Sequence, residues 1–235
     1  MNNHILYSLG KSKILYRTDN PHQLIMKFID SVHGGGRVEM IPGTGVLRAE
    51  ICVIFYLQLE KNGIKTHFIK KIGPGQLLVK KLSMFRLEIV PRNFAAGSLV
   101  KNYPYNLGER LSPSLIHFHL KLGKDPVLTD GLITGLGLAN DEELSAMKQL
   151  AQKVNSVLSE FLKKRELILA DFKFEAGNDT EGNLTVGDEI SSDSGRFWDA
   201  KTLTSNDKDL FRYQTGNVKE AYKKLLKKIS APIKS

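Results

Sequence analysis

The chain lacks several features that mark whole classes of protein. Its 235 residues include a single cysteine, Cys52, so no disulfide can form within the chain, which is typical of a reducing cytoplasm. The longest uninterrupted apolar run, residues 51–57, is far too short to span a membrane. The first residues contain no long apolar segment of the secretory kind. These absences predict a cytoplasmic protein without a membrane partner.

The composition is that of a folded chain with an excess of positive charge. Hydrophobic residues make up 41% and charged residues 25%, which excludes a wholly disordered protein. Lysine and arginine exceed aspartate and glutamate by 34 to 25, and the net charge of +9 favours anionic partners. Many lysines lie in residues 218–229, where the apolar residues between them recur at helical spacing. We therefore expect a solvated helix face there and no nucleic-acid partner.

The N-terminal part predicts short strands and one buried helix. Apolar residues 51–59 form a helix candidate that ends at Asn62-Gly63, a plausible C-cap. Turn residues separate the strand candidates. The predicted strands are Ile5–Tyr7, Ile14–Tyr16, Leu24–Phe28, Leu77–Leu82 and Leu87–Val90.

The C-terminal part mixes helices and strands. Asn140 and Glu143 resemble a helix N-cap with its reciprocal acid, and a helical apolar stripe follows from residue 144 to 162. Residues 167–174 and 184–186 predict the two arms of a hairpin. The fold class is therefore α+β, with a strand-rich N-terminal lobe (1–79) and a mixed C-terminal lobe (80–235). By composition alone, the best boundary between the lobes is Gly73-Pro74-Gly75.

Two clusters of ionisable residues suggest a phosphate site. Lys11 and Lys13 alternate along a predicted strand, so both ammonium groups lie on one face. They could hold a polyphosphate or simply protect an exposed strand edge, and the two interpretations are equally supported. Downstream, Glu175 and Asp188 lie near one end of the predicted hairpin and could hold Mg²⁺ together with nucleotide phosphates. The alternative is a strand with one solvated face, and this pattern by itself favours that alternative.

A third segment, residues 92–98, joins an arginine, a turn of small residues and a hydroxyl. Arg92 and Ser98 suit a phosphate or carboxylate ligand, although Arg92 could equally form a structural ion pair.

In order along the chain, these segments resemble the SAICAR synthetase family of de novo purine biosynthesis. The resemblance covers almost the whole chain. The matching segments are residues 6–13, 63–68, 78–82, 92–101, Lys124-Asp125-Pro126, 171–175, 187–190, 195–199 and 207–212.

The resemblance implies a small β-rich lobe over a larger α+β lobe, distantly similar to kinases and ATP-grasp enzymes. It also implies an ATP-dependent ligase that joins L-aspartate to carboxyaminoimidazole ribonucleotide (CAIR), giving SAICAR, ADP and phosphate, with an acyl phosphate on the way. ATP would serve as co-substrate and Mg²⁺ as the metal.

The resemblance further implies a role for each residue that matches a family motif. The ATP-binding residues are Lys11, Lys13, Lys80, Lys81, Leu82 and Lys121. The Mg²⁺ ligands are Glu175, Asp188 and Glu88. The CAIR-binding residues are Arg92, Ser98, Arg196 and Arg212. The catalytic residues, which orient the substrates, are Lys173 and Asp193.

Part of the N-terminal lobe departs from the family pattern. Gly43-Thr44-Gly45 lacks the family's lysine, and Leu47-Arg48-Ala49-Glu50 lacks its paired asparagines. Two alternatives therefore stay open: a paralogous ligase that uses another carboxylate or amine, and a weakly active protein whose basic cleft binds nucleotides or nucleic acid. Self-association into a homo-oligomer also stays open.

Overall fold

A computed structural model of the chain describes residues 5–121 and 125–232. These residues form a mixed α+β fold with fourteen strands, paired antiparallel within their sheets, and six helices. The five-stranded sheet contains, in spatial order, β1 (Leu6–Leu9), β2 (Lys13–Arg17), β3 (Gln23–Phe28), β7 (Gln76–Lys80) and β6 (Phe68–Gly73). A two-stranded sheet contains β4 (Ser31–Gly34) and β5 (Arg37–Met40).

The larger sheet has seven strands. In spatial order they are β10 (Val127–Leu128), β9 (Arg110–Leu120), β8 (Ser83–Phe94), β11 (Leu167–Phe172) and β14 (Gly195–Asp199), with β12 (Phe174–Asn178) and β13 (Leu184–Gly187) off this path. The helices are α1 (Thr44–Lys61), α2 (Ser98–Asn102), α3 (Asp130–Gly135), α4 (Asp141–Lys163), α5 (Asp209–Arg212) and α6 (Val218–Ser230).

The predicted N-terminal helix is confirmed as α1. It is apolar on nearly every side because it packs against α4, α6 and β3 at once. Asn62 is its C-cap, and Gly63 follows with a φ of 74°, a left-handed conformation that glycine adopts without strain. At the other end, the Thr44 hydroxyl donates to the carbonyl of Ile41 (2.9 Å), and Thr44 is fully buried.

The lobe boundary that composition suggests at Gly73-Pro74-Gly75 is wrong. This segment is the turn between the neighbouring antiparallel strands β6 and β7, and Gly75 supplies the positive φ (68°) that the turn needs. The chain changes sheet between Lys80 and Ser83. The division after residue 79 stays a prediction. One cluster of buried apolar side chains contains residues from both parts of the chain, from Leu24 to Ile229.

The two amphipathic helices form as their patterns predict. Asn140 and Glu143 make a capping box at the start of α4, in which each side chain accepts from the other residue's backbone N–H. In α6 the apolar stripe, including Ala221, Tyr222 and Leu225, is buried. Its lysines lie outside that stripe, as expected for a solvated face.

Strand β8 carries two of the predicted site residues, Glu88 and Arg92. It pairs with β9 along one edge and with both β11 and β12 along the other. The predicted strand 167–174 is interrupted at Lys173, whose N–H donates to the carbonyl of Ser194 (2.7 Å). The register is the same on both sides of the interruption, because Arg92 lies opposite Asp171 and Glu88 opposite Glu175. The predicted hairpin forms between β12 and β13.

Within residues 5–121 and 125–232, no helix combines the length and the apolar character that a membrane crossing needs.

Candidate active site

Three carboxylates lie side by side on neighbouring strands. Glu175 on β12 is directly opposite Glu88 on β8 and Gly187 on β13, and Asp188 follows Gly187. Residues directly opposite in an antiparallel pair have their Cβ atoms within about 4.5–5.5 Å of each other. The pairing of β8 with β12 therefore places Glu88 beside Glu175, and the Asp188 carboxylate is close enough for its charge to act on Glu175.

Each of these carboxylates is paired with a lysine. Lys173 Nζ lies 2.5 Å from Glu88 Oε1, and Lys13 Nζ lies 2.7 Å from Asp188 Oδ1. Lys121 Nζ donates to both oxygens of Glu175, at 2.6 and 2.8 Å. The three lysines come from different elements: the start of β2, the residue after β9, and the interruption between β11 and β12.

The pairs have different electrostatic balances. Burial, followed by the negative charge of Asp188, raises the pKa of Glu175 to about 7, against the opposing effect of Lys121. Burial also disfavours ionised Asp188, but the Lys13 ammonium outweighs it and lowers the pKa of Asp188 below its usual value. Burial likewise opposes the charge on Lys173, and Glu88 outweighs it, so the pKa of Lys173 is raised. Asp188 and Lys173 are therefore held in their charged forms, whereas burial opposes the charge of Glu175 despite its contact with Lys121.

The donor set fits Mg²⁺ only with help from a ligand. Carboxylate oxygens suit this ion, which proteins usually bind through one or two carboxylates plus substrate phosphates. Among the residues that the structure describes, no group of three ligating side chains is arranged to hold a metal by itself. Glu88, Glu175 and Asp188 are adjacent but engaged with lysines, so phosphate oxygens would have to complete the coordination.

A cluster of arginines lies on the same face of the large sheet. Asp171 accepts from Arg92 Nη1 (2.9 Å) and from Arg196 Nη1 (2.7 Å). Arg196 Nε also donates to Asp209 (2.8 Å), which pairs with Arg212 as well. Burial, followed by repulsion from Arg196, lowers the pKa of Arg212. Three guanidinium groups share two carboxylates, so this cluster has a net positive charge that an anionic ligand can neutralise.

Asp193 is held by donors from three parts of the chain. Its carboxylate accepts from Arg48 Nη1 (3.3 Å), Lys208 Nζ (3.4 Å) and the Tyr222 hydroxyl. Arg48 is completely buried in α1, where it also donates to backbone carbonyls that include Ile29. These contacts fix the orientation of the Asp193 side chain.

The arginine cluster and one lysine–carboxylate pair, Glu88 and Lys173, line one cavity of about 390 Å³. Seven predicted site residues line it: Glu88, Arg92, Ser98, Lys173, Asp193, Arg196 and Arg212. Arg92 Nη2 donates to the Ser98 hydroxyl (3.2 Å) at the start of α2. The predicted substrate ligands and catalytic residues thus share a cavity, and Glu88 connects it to the lysine–carboxylate pairs.

Other predicted residues lie apart from this cavity. Lys11 precedes β2, which begins at Lys13, so the prediction that the two lysines alternate along one strand is wrong. Among the described residues Lys11 forms no ion pair, and its side chain is exposed. Lys80 and Lys81 line a separate cavity of about 490 Å³. Leu82 is buried, and its side chain packs close to Gly187. Lys124 lies outside the described residues.

Sequence reasoning assigned no role to several residues that hold the site together. Arg48 could have been recognised because it is a charged residue within an otherwise apolar helix. Glu189 follows Asp188 directly and contacts Lys13 (3.2 Å). Asp171 is the first residue of a matching segment and is the shared acceptor of two arginines. None of these partners is near in sequence, so spacing alone could not identify them.

Comparison with known proteins gives one consistent result. A family model described as SAICAR synthetase matches residues 6–229. The phosphoribosylaminoimidazole-succinocarboxamide synthase of Methanoculleus marisnigri is 44% identical over 232 residues, covering 97% of this chain and 95% of that protein. The corresponding protein of Persephonella marina is 42% identical over 224 residues and covers 94% of each chain.

Solved structures agree in fold and in sequence. A SAICAR synthetase (Type-2) in complex with ADP has a TM-score of 0.92 and 39% identity, covering 98% of this chain and 99% of that one. Phosphoribosylaminoimidazole-succinocarboxamide synthase from Ehrlichia chaffeensis also has a TM-score of 0.92, with 34% identity and coverage of 97% and 99%. With the family model matching nearly the full length and the relatives this similar, the chain belongs to the SAICAR synthetase family.

Proposed function

We propose that this chain is an ATP-dependent ligase of purine biosynthesis that joins L-aspartate to CAIR, giving SAICAR, ADP and phosphate. The observation that carries the proposal is one cavity lined by the arginine cluster together with Glu88 and Lys173, one of three lysine–carboxylate pairs. Family relatives support it, since one is solved with ADP. The protein would work in the cytoplasm, with small molecules as its partners.

The lysine–carboxylate pairs would bind the nucleotide. Lys11, Lys13 and Lys121 would bind the phosphates of ATP, and residues 80–82 would border its adenine. Glu175, Asp188 and Glu88 would hold Mg²⁺, which when bound neutralises phosphate charge and orients the transferred group. As the phosphates arrive, Lys121 and Lys13 would exchange carboxylate partners for phosphate oxygens. Positioning and charge neutralisation supply most of the catalysis of phosphoryl transfer.

The arginine cluster would bind CAIR. Arg92, Arg196 and Arg212, with the Ser98 hydroxyl, present fixed planar donors that suit the phosphate of a nucleotide. Held in this way, CAIR would direct its carboxylate towards Glu88 and Lys173, at the edge nearest the ATP phosphates. Asp171 would keep two of the guanidinium groups in place.

The reaction would take place in two steps. An oxygen of the CAIR carboxylate attacks the γ-phosphorus, the bond to the β-phosphate oxygen breaks, and ADP leaves with that electron pair. The uncharged amine of aspartate then attacks the acyl carbon, and phosphate departs with the electrons of the C–O bond and takes up a proton from the nitrogen. Lys173 and Asp193 would orient the carboxylate and the amine for this attack.

An ADP-release assay tests the proposal directly. We expect turnover only when CAIR, L-aspartate, ATP and Mg²⁺ are all present. Replacing the acid and the amine one at a time distinguishes the paralogous ligase, because turnover with another pair and none with CAIR and aspartate would reject our assignment. Binding of DNA that weakens with salt, without any ATP turnover, would favour the binding protein instead.

The metal assignment has its own test. We expect Glu175→Gln to lower turnover by at least about 10- to 100-fold, the effect typical of disturbing the surroundings of a bound metal ion. The reason is that a neutral amide is a poorer Mg²⁺ ligand than a carboxylate. Glu142→Gln, at an exposed position of α4, is the matched control and should behave as wild type. Unchanged activity in Glu175→Gln would contradict the role given to this residue.

A further inference from the structure

The three lysines that pair with the clustered carboxylates differ in their access to water. The side chains of Lys121 and Lys173 are 51% and 39% exposed, whereas that of Lys13 is 15% exposed. If a metal ion took their carboxylates, Lys121 and Lys173 could turn their ammonium groups into water. Lys13 has no such escape, and until a phosphate took the place of the carboxylate its buried ammonium would lack a counter-ion, which is strongly unfavourable.

Lys13 differs from the other two in having a second carboxylate. Its Nζ lies 3.2 Å from Glu189 Oε1 as well as 2.7 Å from Asp188 Oδ1. Glu189 is only 4% exposed, and its two oxygens also accept from the hydroxyls of Ser12 and Ser191, both at 2.8 Å. The Glu189 side chain is therefore held at both of its oxygens and is in direct contact with Lys13.

Glu189 is held by contacts that do not depend on its neighbour Asp188. Ser191 links it further, since the Ser191 hydroxyl donates to Glu189 and accepts from the backbone N–H of Asp193 (3.1 Å). Neither serine contact involves Asp188, so movement of the Asp188 carboxylate would leave Glu189 in place.

We propose that Glu189 is a positioning residue that keeps the Lys13 ammonium in its place beside Asp188 when Asp188 binds the metal ion that accompanies the nucleotide. Lys13 and the metal ion can then act on the same phosphates without competing for one carboxylate. This inference rests on the proposed function, because it assumes that nucleotide and Mg²⁺ bind between these strands. This arrangement requires two adjacent acids, of which only Asp188 exchanges Lys13 for the metal ion while Glu189 stays in contact with Lys13.

Calorimetric titration of ADP, with Mg²⁺ and with the metal chelated, tests the proposal without turnover. In wild type we expect Mg²⁺ to increase ADP affinity. In Glu189→Gln, Lys13 would depend on Asp188 alone and would compete with the metal, so the increase should shrink by about one to two orders of magnitude. Glu189→Asp, which keeps the charge, should restore part of it, and Glu142→Gln, the same change at an exposed position of α4, should resemble wild type.

A double-mutant cycle shows whether Glu189 acts through Lys13. In a Lys13→Met background, Glu189→Gln should have little further effect on the Mg²⁺-dependent increase, because the ammonium group that Glu189 would hold is absent. Equal losses in both backgrounds would overturn the proposal, as would a Glu189→Gln protein that responds to Mg²⁺ like wild type. A wild-type protein that binds no ADP at either Mg²⁺ level would instead reject the proposed function itself.

Discussion

Asp188 occupies a backbone conformation that few residues other than glycine adopt. Its φ is 59°, in the left-handed region, where a side chain costs of the order of 1 kcal/mol. The Tyr56 hydroxyl donates to the Asp188 carbonyl and lies 2.9 Å from His67 Nε2. Burial raises the pKa of Tyr56 well above its usual value, so this hydroxyl remains a donor. A helix residue thus holds the turn that presents the Asp188 carboxylate.

Removing that donor should loosen the turn. We expect Tyr56→Phe to keep the ring packing but to weaken Mg²⁺-dependent ADP binding about 5–30-fold, corresponding to roughly 1–2 kcal/mol for an unsatisfied buried carbonyl. Calorimetric titration measures this affinity, and Tyr103→Phe, at an exposed position, is the control. An unchanged affinity would show that β13 and its neighbours hold Asp188 without Tyr56.

At the scale of elements, the connection from β8 to α2 depends on one glycine. Gly97 has a φ of 57° and a ψ of −123°, a combination that is essentially restricted to glycine. A Cβ atom at this position would lie 2.5 Å from Nη2 of Arg196, which is itself fixed by Asp171 and Asp209. The small-residue turn therefore lets the chain pass close beside the arginine cluster.

We expect Gly97→Ala to displace Arg196 and to raise KM for CAIR by at least about tenfold, the effect of roughly 1.4 kcal/mol. The affinity for ADP should change little, because the lysine–carboxylate pairs lie elsewhere on the sheet. Steady-state kinetics and ADP titration together test this split. Gly131→Ala, on α3 with open space around its Cβ position, is the matched control. A uniform loss of CAIR and ADP binding would contradict the local explanation.

The success of the sequence predictions also varied by element, for physical reasons. Helices α4 and α6 were predictable because caps and apolar stripes are local signals. The segment Gly73–Gly75 was mistaken for a boundary because hairpin turns and linkers share the same residues, and only strand pairing tells them apart. Lys11 was placed on β2 although it lies in the turn between β1 and β2, because only the pairing of the two strands shows that β2 begins at Lys13.

At the scale of the whole molecule, the predicted site residues could be named from motif order but their partners could not. Lys173 and Glu88 are 85 residues apart, and Lys121 and Glu175 are 54 apart. Such contacts depend on the register of β8 with β9 and β12, which no local pattern encodes. Arg48 shows the limit most clearly, because its buried charge is explained only by Asp193, 145 residues away.

A buried histidine, His67, and a half-buried one, His117, link the stability of the whole molecule to pH. Burial lowers the pKa of His67 to about 4. For His117, burial and then the charges of Arg92 and His119 lower the pKa to about 4 as well. A histidine in an unfolded chain has a pKa of about 6.5. Between that pH and pH 4 the unfolded chain therefore binds more protons than the folded one. The stability contributed by keeping these rings neutral is therefore present above about pH 6.5 and is lost as the pH falls towards 4.

Replacing His67 should remove its share of this pH dependence. In His67→Gln the side-chain amide can still donate to the Tyr56 hydroxyl but cannot take up a proton. We expect the variant to be less stable than wild type at pH 7. The difference in unfolding free energy between the two proteins should shrink by about 1–3 kcal/mol between pH 7 and pH 4, because one histidine changes this free energy by up to about 1.4 kcal/mol per pH unit. Denaturant unfolding at several pH values measures the difference, and His22→Gln, at an exposed position, is the control. Because every other group titrates equally in both proteins, a difference that stays constant with pH would mean that His67 is protonated as easily in the folded chain as in the unfolded one.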